Sequence, residues 1–415
     1  MSPHSGPTTE RERHVILDAL RGFALLGIAL ANYPEFALWT FLSAEQQAAM
    51  PSADADQVAR FMQYLLVDGK FYTIFSLLFG IGFSLILQRH SKALFLRRML
   101  ILAAIGCCHM MFLWSGDILL LYAVAGLLLP LFVRFSDKVL AWIAVALLLL
   151  PVGLDAMTAF LGVDFARPFY AAWWDAASAR GITEQNFASW LRDAQSYSEM
   201  HAFLVQGAFE RMWEFVGGHR LPKVLGLFLL GYLIGKHQLY ARLETLPLRR
   251  IGCWTAVVGL PASLLYALSA TQAHPWGLVV HSLLYAVSVV PLALAYIAGI
   301  CWLYLRWQAP LKRAFASLAA PGRMALTNYI SQSVVGILLF YGLGLGLGTT
   351  FGLVSILLTA LLVFLLQIAA STLWLRHFSF GPLEWLWRML TYGRYFRLRK
   401  PAKPSSPSSS SPSSC

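Results

Sequence analysis

Runs of about 20 apolar residues recur along almost the whole chain, separated by shorter polar segments. As a helix, each run is long enough to cross the roughly 30 Å hydrocarbon core of a bilayer. The pattern therefore predicts an all-α, polytopic transmembrane helical bundle. Ten spans are predicted, over residues 15–34, 71–88, 96–114, 117–133, 139–161, 221–238, 251–270, 277–304, 323–345 and 351–375.

Composition and charge give the bundle an orientation. The chain is 58% hydrophobic and only 13% charged, and its formal charge is +12. With the N-terminus in the cytoplasm, 23 of the 32 Lys and Arg residues fall in inner segments, eight in outer segments, and Arg21 within a span. The positive-inside rule therefore predicts that both termini are cytoplasmic. It also explains the positive charge without a nucleic-acid partner, so the expected partner is the lipid bilayer.

The remaining segments have distinct compositions. Two outer segments are long, and the second carries apolar and aromatic residues at helical spacing, which fits either a packed connector or a lid over the bundle. The first apolar run has no small-residue cleavage site after it, so no cleaved signal peptide is expected. The predicted organisation is a polar N-terminal tail (1–14), the bundle (15–375) with outer loops 35–70 and 162–220, a basic aromatic interfacial segment (376–400) and a disordered Pro/Ser tail (401–415).

The first span keeps three polar residues in an apolar helix: Asp18 and Arg21 near its start, and Asn32 near its end. Asp18 and Arg21 are three residues apart, so they share a face and can form an ion pair. Asn32 follows Arg21 by eleven residues, which returns to almost the same face roughly 16 Å further along the axis. This face is predicted to look into the bundle, either as a buried pair that fixes helix packing or as part of a site or pathway.

The third and fourth spans are joined by a turn of two or three residues that contains Ser115 and Gly116. Because a short turn makes the two spans antiparallel neighbours, His109 and Asp117 are expected at a similar depth near the outer face, where Asn32 also lies. Asp117 fits both an N-cap and a carboxylate that fixes the tautomer of a general-base histidine. His109 is correspondingly either a hydrogen-bonded packing residue or that base.

Other polar and glycine positions are weaker signals. Gly80 and Gly82, like Gly231 and Gly235, are predicted to allow close helix packing. No zinc-ligand spacing, Walker loop or nucleophile elbow occurs, so neither a metal nor a serine or cysteine nucleophile is indicated. Polar residues in the inner half of the ninth span either bond between helices or line a cavity: Thr327, Asn328, Tyr329, Ser331, Gln332 and Ser333.

Several motifs in a fixed order resemble the YeiB-like bacterial membrane proteins, a family of unknown function. The resemblance covers residues 12–398 and implies a multi-pass protein of the bacterial inner membrane. The motifs are LDALRGFALLGIALANY, KFYTIFSLLFGIGFSL, WSGDILLLYAVAGLLL, LGLFLLGYLIGK, GRMALTNYISQS and GPLEWLWRMLTYGR.

The opening motif is also similar to the first helix of the acyltransferase-3 proteins and of heparan-alpha-glucosaminide N-acetyltransferase. That resemblance implies transfer of an acyl group from a cytoplasmic donor, commonly acetyl-CoA, to an acceptor beyond the membrane. Arg21 matches the arginine of these families. The catalytic histidine of acyltransferase-3 proteins stands eleven residues further on, where this chain has Asn32, and an amide cannot act as a base at neutral pH.

The leading hypothesis is therefore a membrane-bound acyltransferase in which His109 replaces the missing base, Asp117 supports it and Asn32 stabilises the oxyanion. The predicted binding site for the acyl-CoA comprises Arg21 with Asp18, together with Arg97 and Arg98. These groups are expected to surround one interior cavity. The acceptor is expected to be a small molecule or an envelope glycan with a hydroxyl or amine. A small-molecule transporter and a non-catalytic envelope protein are the alternatives.

Overall fold

Helices make up most of residues 15–400, which are the residues that the computed structural model describes. The predicted tails, 1–14 and 401–415, lie outside this range. The helices are α1 (Val15–Phe36), α2 (Ala44–Ala48), α3 (Ala53–Leu66), α4 (Lys70–Arg89), α5 (Lys92–Phe112), α6 (Leu119–Phe132), α7 (Asp137–Leu161), α8 (Arg167–Ser178), α9 (Phe187–Asp193), α10 (Tyr197–Gly217), α11 (Arg220–Lys236), α12 (Leu248–Thr271), α13 (Leu278–Arg306), α14 (Gln308–Arg323), α15 (Ala325–Phe340), α16 (Leu353–His377) and α17 (Pro382–Tyr392).

Each of the ten predicted spans coincides with one of these helices, namely α1, α4 to α7, α11 to α13, α15 and α16. In the described part of the chain, seven candidate spans are long and apolar enough to cross a membrane, one of them formed by α3 and α4 together. α6 and α15 are shorter apolar helices, and α11 has 17 residues. The all-α membrane class is thus confirmed, and the number of ten crossings stays a prediction.

Several helices keep apolar faces that no other element within residues 15–400 covers. The most apolar 18-residue stretch of α7 is only 17% buried. Trp142 and Phe160 of the same helix are 74% and 78% exposed. Apolar surface of this extent is unfavourable in water and is matched by lipid tails. The lipid bilayer is therefore the partner that the fold requires.

The crossing of α4 and α11 brings two backbones into contact. A Cβ atom added to Gly80 would lie 2.2 Å from the carbonyl oxygen of Phe228, and one added to Gly231 would lie 2.1 Å from that of Leu77. Gly82 faces away, and a Cβ there would have no neighbour within 4 Å. The predicted packing role is therefore correct for Gly80 and Gly231 and wrong for Gly82.

The predicted loop 35–70 is largely helical and is tied into the bundle. It contains α2 and α3, and Asp56 of α3 is only 3% exposed. The Asp56 carboxylate accepts hydrogen bonds from the Ser52 hydroxyl at 2.8 Å and from the backbone N–H of Val354 at 2.9 Å. Asp56 thereby satisfies one of the free amides at the start of α16.

The predicted outer segment 162–220 folds into α8, α9 and α10. The rings of Trp173 and Trp213 stack at 5.2 Å between centroids, and Trp173 also donates a hydrogen bond to the Gln206 side chain. α10 packs against both α8 and α5. The segment is thus a packed helical unit that lies against one end of the bundle.

The predicted interfacial segment 376–400 also packs on the bundle. Its helix α17 contacts α5 and α15. Trp385 donates to the carbonyl of Phe396 at 2.7 Å, and Trp387 donates to that of Arg98 at 3.0 Å. The segment therefore closes the end of the bundle at which α5 begins.

Candidate active site

α1 and α5 run in the same direction, as the alternation of spans predicts. Arg21 and Arg98 interact electrostatically near the start of the two helices. At the other end, the rings of Phe36 and Trp114 lie 4.3 Å apart. We call the end with Arg21 and Arg98 the basic end. The end with Phe36 and Trp114 is called the chamber end, after a cavity at that end which is described below.

His109 is fixed at both ring nitrogens near the chamber end. Its Nδ1 lies 2.9 Å from Oδ1 of Asp117, and its Nε2 lies 2.9 Å from Oγ of Ser333. Because an ionised carboxylate can only accept, Nδ1 carries the proton and Nε2 accepts from the Ser333 hydroxyl. The side chains of His109 and Asp117 have no exposed surface, so the imidazole is held in one tautomer and one orientation.

Asp117 has the two roles that its position after a short turn indicated. Its Oδ2 accepts the backbone N–H of Leu120 at 2.7 Å, in the first turn of α6, while its Oδ1 bonds His109. Gly106 on α5 leaves room for this arrangement, since a Cβ there would lie 2.5 Å from the amide nitrogen of Leu120. The close contact between α5 and α6 therefore sets the geometry of the pair.

Aromatic rings enclose the His109 imidazole. The Tyr329 ring lies 5.3 Å from it and the Trp114 ring 6.1 Å, both measured between centroids. The Tyr329 hydroxyl accepts the backbone N–H of Ile118 at 3.3 Å. The rings exclude water from the pair and strengthen the electrostatic interactions within it.

Ser333 is the site residue that sequence analysis missed. It was noted only as one of six polar positions on the ninth span, 224 residues from His109. Its neighbours on α15 bond elsewhere: Ser331 donates to the carbonyl of Asn328, and Gln332 donates to Gln367. No local motif distinguishes Ser333 from them, because its partner is set by helix packing.

Asn32 is not bonded to the pair that it was expected to assist. Its side chain is half-buried and forms no hydrogen bond with another residue in the range 15–400. The predicted role of Asn32 in stabilising an oxyanion stays a prediction. Two cavities within residues 15–400, one beside Arg192 and one beside Arg211, are not lined by Arg21, Asn32 or His109. The one interior cavity expected for all these groups stays a prediction.

The basic end brings together charged residues from α1, α5 and α17. Arg21 and Asp18 form the expected ion pair, with Nη1 and Oδ1 2.6 Å apart. Arg98 stacks on Trp387, with its guanidinium carbon 3.6 Å from the ring centroid. Arg98 also interacts electrostatically with Arg388 and Arg21, so positive charge is concentrated here.

Arg97 takes a different position from Arg98. It is exposed, and its guanidinium lies 3.4 Å from the position of a Cβ on Gly393, just after α17. Successive residues on a helix point about 100° apart. The structure thus joins Arg21, Asp18 and Arg98 in one cluster and leaves Arg97 at its edge.

A cavity of about 220 Å³ lies at the chamber end between α1, α10 and the turn before α6. We call it the outer chamber. Arg211 crosses it, donating to the carbonyl of Ser115 at 3.0 Å and pairing with Glu214 and with Glu35. The residues that line the outer chamber are Glu35, Thr40, Phe41, Ser115, Gly207, Glu210, Arg211 and Glu214.

Glu210 in the outer chamber is expected to make stability depend on pH. Burial raises its pKa well above the usual range, and the charges of Glu214 and Glu35 raise it further. Above the ordinary carboxyl pKa of about 4.3, the folded protein keeps a proton that the unfolded chain releases. The free energy of unfolding therefore falls as pH rises towards the raised pKa. Glu210→Gln should melt like the parent near about pH 4 and at an increasingly higher temperature as pH rises.

Glu184→Gln is the control for this prediction, because Glu184 is an exposed glutamate of the same outer segment. Its melting temperature should follow that of the parent at every pH. Parallel melting curves for parent and Glu210→Gln across the pH range would contradict the assignment.

The fold and the site together define an integral membrane protein of the helical-bundle class with a buried histidine–carboxylate pair. Residues 234–394 match a family model described as a protein of unknown function (DUF418). The chain belongs to the YeiB-like family. The uncharacterized protein YeiB of Escherichia coli K12 is 32% identical over 391 residues, which covers 92% of this chain and 96% of that protein.

Two further relatives extend along nearly the whole chain. The uncharacterized protein YxaH of Bacillus subtilis 168 is 29% identical, over 93% of this chain and 96% of its own length. An uncharacterized 39.9 kDa protein of Bacillus acidopullulyticus is 30% identical, over 94% and 97%. No solved structure matches the chain significantly. These comparisons confirm the family resemblance read from the motifs and assign no activity.

Proposed function

We propose that this protein is a membrane-bound acyltransferase of the bacterial inner membrane. It moves an acyl group from a cytoplasmic acyl-CoA to a hydroxyl or amine acceptor near the extracytoplasmic face. The observation that carries the proposal is the buried imidazole of His109, held by a carboxylate at one nitrogen and a hydroxyl at the other. This arrangement equips a histidine for general-base catalysis.

The basic end supplies the binding site for the acyl-CoA. Coenzyme A carries several phosphate charges, and arginine binds phosphate through a planar, bidentate fork. Arg98 is held in place by the Trp387 ring, so little side-chain freedom is lost when it binds. Arg21 adds a second guanidinium, and its side chain keeps 28% of its surface exposed.

The basic end and the chamber end are connected by α1 and α5, and each helix carries one residue of interest at either end with the same spacing. Arg98 and His109 are eleven residues apart on α5, as are Arg21 and Asn32 on α1, and eleven residues span roughly 16 Å on nearly one face. The long, thin pantetheine arm of an acyl-CoA suits this separation. Since His109 is closed off in the structure, the helices must part between the ends for the thioester to reach it.

The outer chamber supplies the acceptor site. Ser115 lines the outer chamber and belongs to the same turn as Asp117, so this turn separates the cavity from His109. Glu35 and Glu214 pair with the single arginine there, and Glu210 with its raised pKa adds a carboxyl group, which favours neutral or cationic acceptors over anionic ones. A sugar hydroxyl or an amine meets this condition.

Binding of labelled acetyl-CoA to the purified, folded protein tests the proposal. The parent should bind it saturably, and Arg98→Ala should raise the Kd by about tenfold or more, because a charged hydrogen bond contributes about 1.5–3 kcal/mol. Lys92→Ala is the matched control, since Lys92 is an exposed cation in the first turn of the same helix.

The Lys92→Ala variant should bind like the parent. A folded parent with no saturable affinity for acetyl-CoA refutes the proposal. Solute uptake by vesicles that contain no acyl donor would favour a transporter instead.

A further inference from the structure

We propose that Ser333 is the nucleophile that carries the acyl group, so that transfer runs through a covalent acyl-serine intermediate. The identity of the acyl donor rests on the proposed function. The activation of the Ser333 hydroxyl rests on geometry alone and can be tested without any acyl-CoA.

The geometry is a linear series of three groups from three separate elements. Ser333 on α15 contacts Nε2 of His109 on α5, and Nδ1 of His109 contacts Asp117 in the turn before α6, each across 2.9 Å. Hydroxyl, imidazole and carboxylate in this order form the arrangement that activates serine in unrelated hydrolase folds, where it is recognised by geometry and not by chain order. The base takes the hydroxyl proton as the oxygen attacks.

The hydrogen bond of Ser333 could also serve packing alone, by satisfying the buried ring nitrogen. Ser331, two residues away, shows what a packing serine does on this helix. Ser331 donates to the carbonyl of Asn328 and accepts from Gln367 at 2.7 Å, which is interhelical bonding with no titratable partner. Ser333 differs because, among residues 15–400, its hydrogen-bond partner is a base that is itself oriented by a carboxylate.

Tyr329 supplies a hydrogen-bond donor beside the nucleophile. It lies four residues before Ser333 on α15, so both side chains project from one face. Its hydroxyl accepts from Ile118, and within residues 15–400 no acceptor takes its own proton. That proton is available to the oxyanion that forms when Ser333 attacks a carbonyl.

Each step balances with the residues present and the acyl-CoA named above. Oγ of Ser333 forms a bond to the thioester carbonyl carbon while Nε2 of His109 takes the hydroxyl proton. The carbon–sulfur bond then breaks, and the leaving thiolate takes that proton, so free CoA and acyl-Ser333 remain. The acceptor hydroxyl or amine next attacks the ester and gives its proton to His109, which returns it to the departing Ser333 oxygen.

Burial suits a covalent intermediate. Ser333 has no exposed surface, and Trp114 and Ser115 of the covering turn are 2% and 8% exposed. An acyl-serine kept from water waits for the acceptor and is not hydrolysed. Movement of this turn, which also lines the outer chamber, would expose the ester to the acceptor side.

A fluorophosphonate probe tests the nucleophile without a donor. Such probes phosphonylate activated serines, so the purified parent in lipid vesicles should be labelled on the peptide that contains Ser333. Ser333→Ala should lose this label, and His109→Gln should react at least about 100-fold more slowly because the base is gone. Ser331→Ala is the matched control on the same helix and should be labelled at the parent rate.

Mass spectrometry of the protein incubated with acetyl-CoA and no acceptor tests the intermediate. One acetyl group on the Ser333 peptide, removed by hydroxylamine, is the expected result. Acyl transfer that proceeds in Ser333→Ala, with no acyl-enzyme in the parent, would overturn the inference and leave the proposed function standing. Fluorophosphonate labelling without any acetyl-CoA binding would overturn the proposed function and leave Ser333 as a nucleophile. Absence of both labels from folded protein would overturn the inference.

Discussion

His109→Gln is expected to reduce acyl transfer by roughly 1,000-fold or more while the protein remains folded. A positioned general base contributes about 100- to 10,000-fold, and His109 is the imidazole to which both Asp117 and Ser333 are hydrogen-bonded. Glutamine fills much of the same volume and can bond one of these partners, but it cannot take a proton at neutral pH. Initial rates with labelled acetyl-CoA, measured on protein whose melting temperature is checked, give the result.

Acetyl-CoA binding should be little changed in the same variant. In the proposed mode of binding, Arg21 and Arg98 hold the acyl-CoA at the basic end, roughly 16 Å from His109 along α5. His201→Gln is the control, because His201 lies at the same end of α5, stacked on Phe112 at 5.8 Å, without touching the pair. A His109→Gln protein that keeps its rate within about tenfold of the parent would remove His109 from the chemistry.

Gly80→Ala is expected to cause a large loss of stability. Its new methyl group would fall 2.2 Å from the Phe228 carbonyl oxygen and 2.8 Å from the Tyr232 amide nitrogen. Both are backbone atoms of α11, so neither can rotate away and the helices must separate. Overpacking of this kind costs about 1–3 kcal/mol or more, and loss of folded protein after detergent extraction would be the extreme case.

Gly82→Ala provides a matched comparison on the same helix. A Cβ at Gly82 meets nothing within 4 Å, and replacing a mid-helix glycine with alanine stabilises by roughly 0.5–1 kcal/mol. Thermal unfolding in one detergent should therefore place Gly82→Ala at or above the parent and Gly80→Ala well below it. Equal melting temperatures for the two variants would show that α4 does not pack on α11 in this register.

The fold could be predicted from the sequence because the signals for a membrane helix are local. An apolar run of sufficient length specifies a helix without reference to the rest of the chain, and the ten runs coincide with ten helices. The rotation of each helix is not local. Gly80 and Gly82 were indistinguishable in sequence, because only the position of α11 decides which of them is covered.

The candidate site shows the same division. The pair of Asp18 and Arg21 follows from i,i+3 spacing, and the pair of His109 and Asp117 follows from a short turn. Ser333 is 224 residues from His109, and Trp387 is 289 residues from Arg98. No spacing rule connects residues so far apart, so these partners could be found only once the helices were packed.

The outer chamber was missed for a related reason. Glu35 lies at the start of the predicted outer loop 35–70, and Glu210 and Glu214 lie in an amphipathic segment that fitted either a connector or a lid. Each glutamate alone resembles a solvated surface residue. Their convergence on Arg211 depends on α10 packing over the end of α1.

The contact between Arg98 and Trp387 also has a consequence for biosynthesis. Within residues 15–400, α17 follows all ten apolar helices, so the ribosome completes it after those helices have emerged and begun to insert. Arg98 therefore acquires its aromatic support only after α17 has left the exit tunnel. Nascent chains that stop before Trp387 would hold every proposed catalytic group yet lack the aromatic ring that supports Arg98 in the proposed coenzyme site.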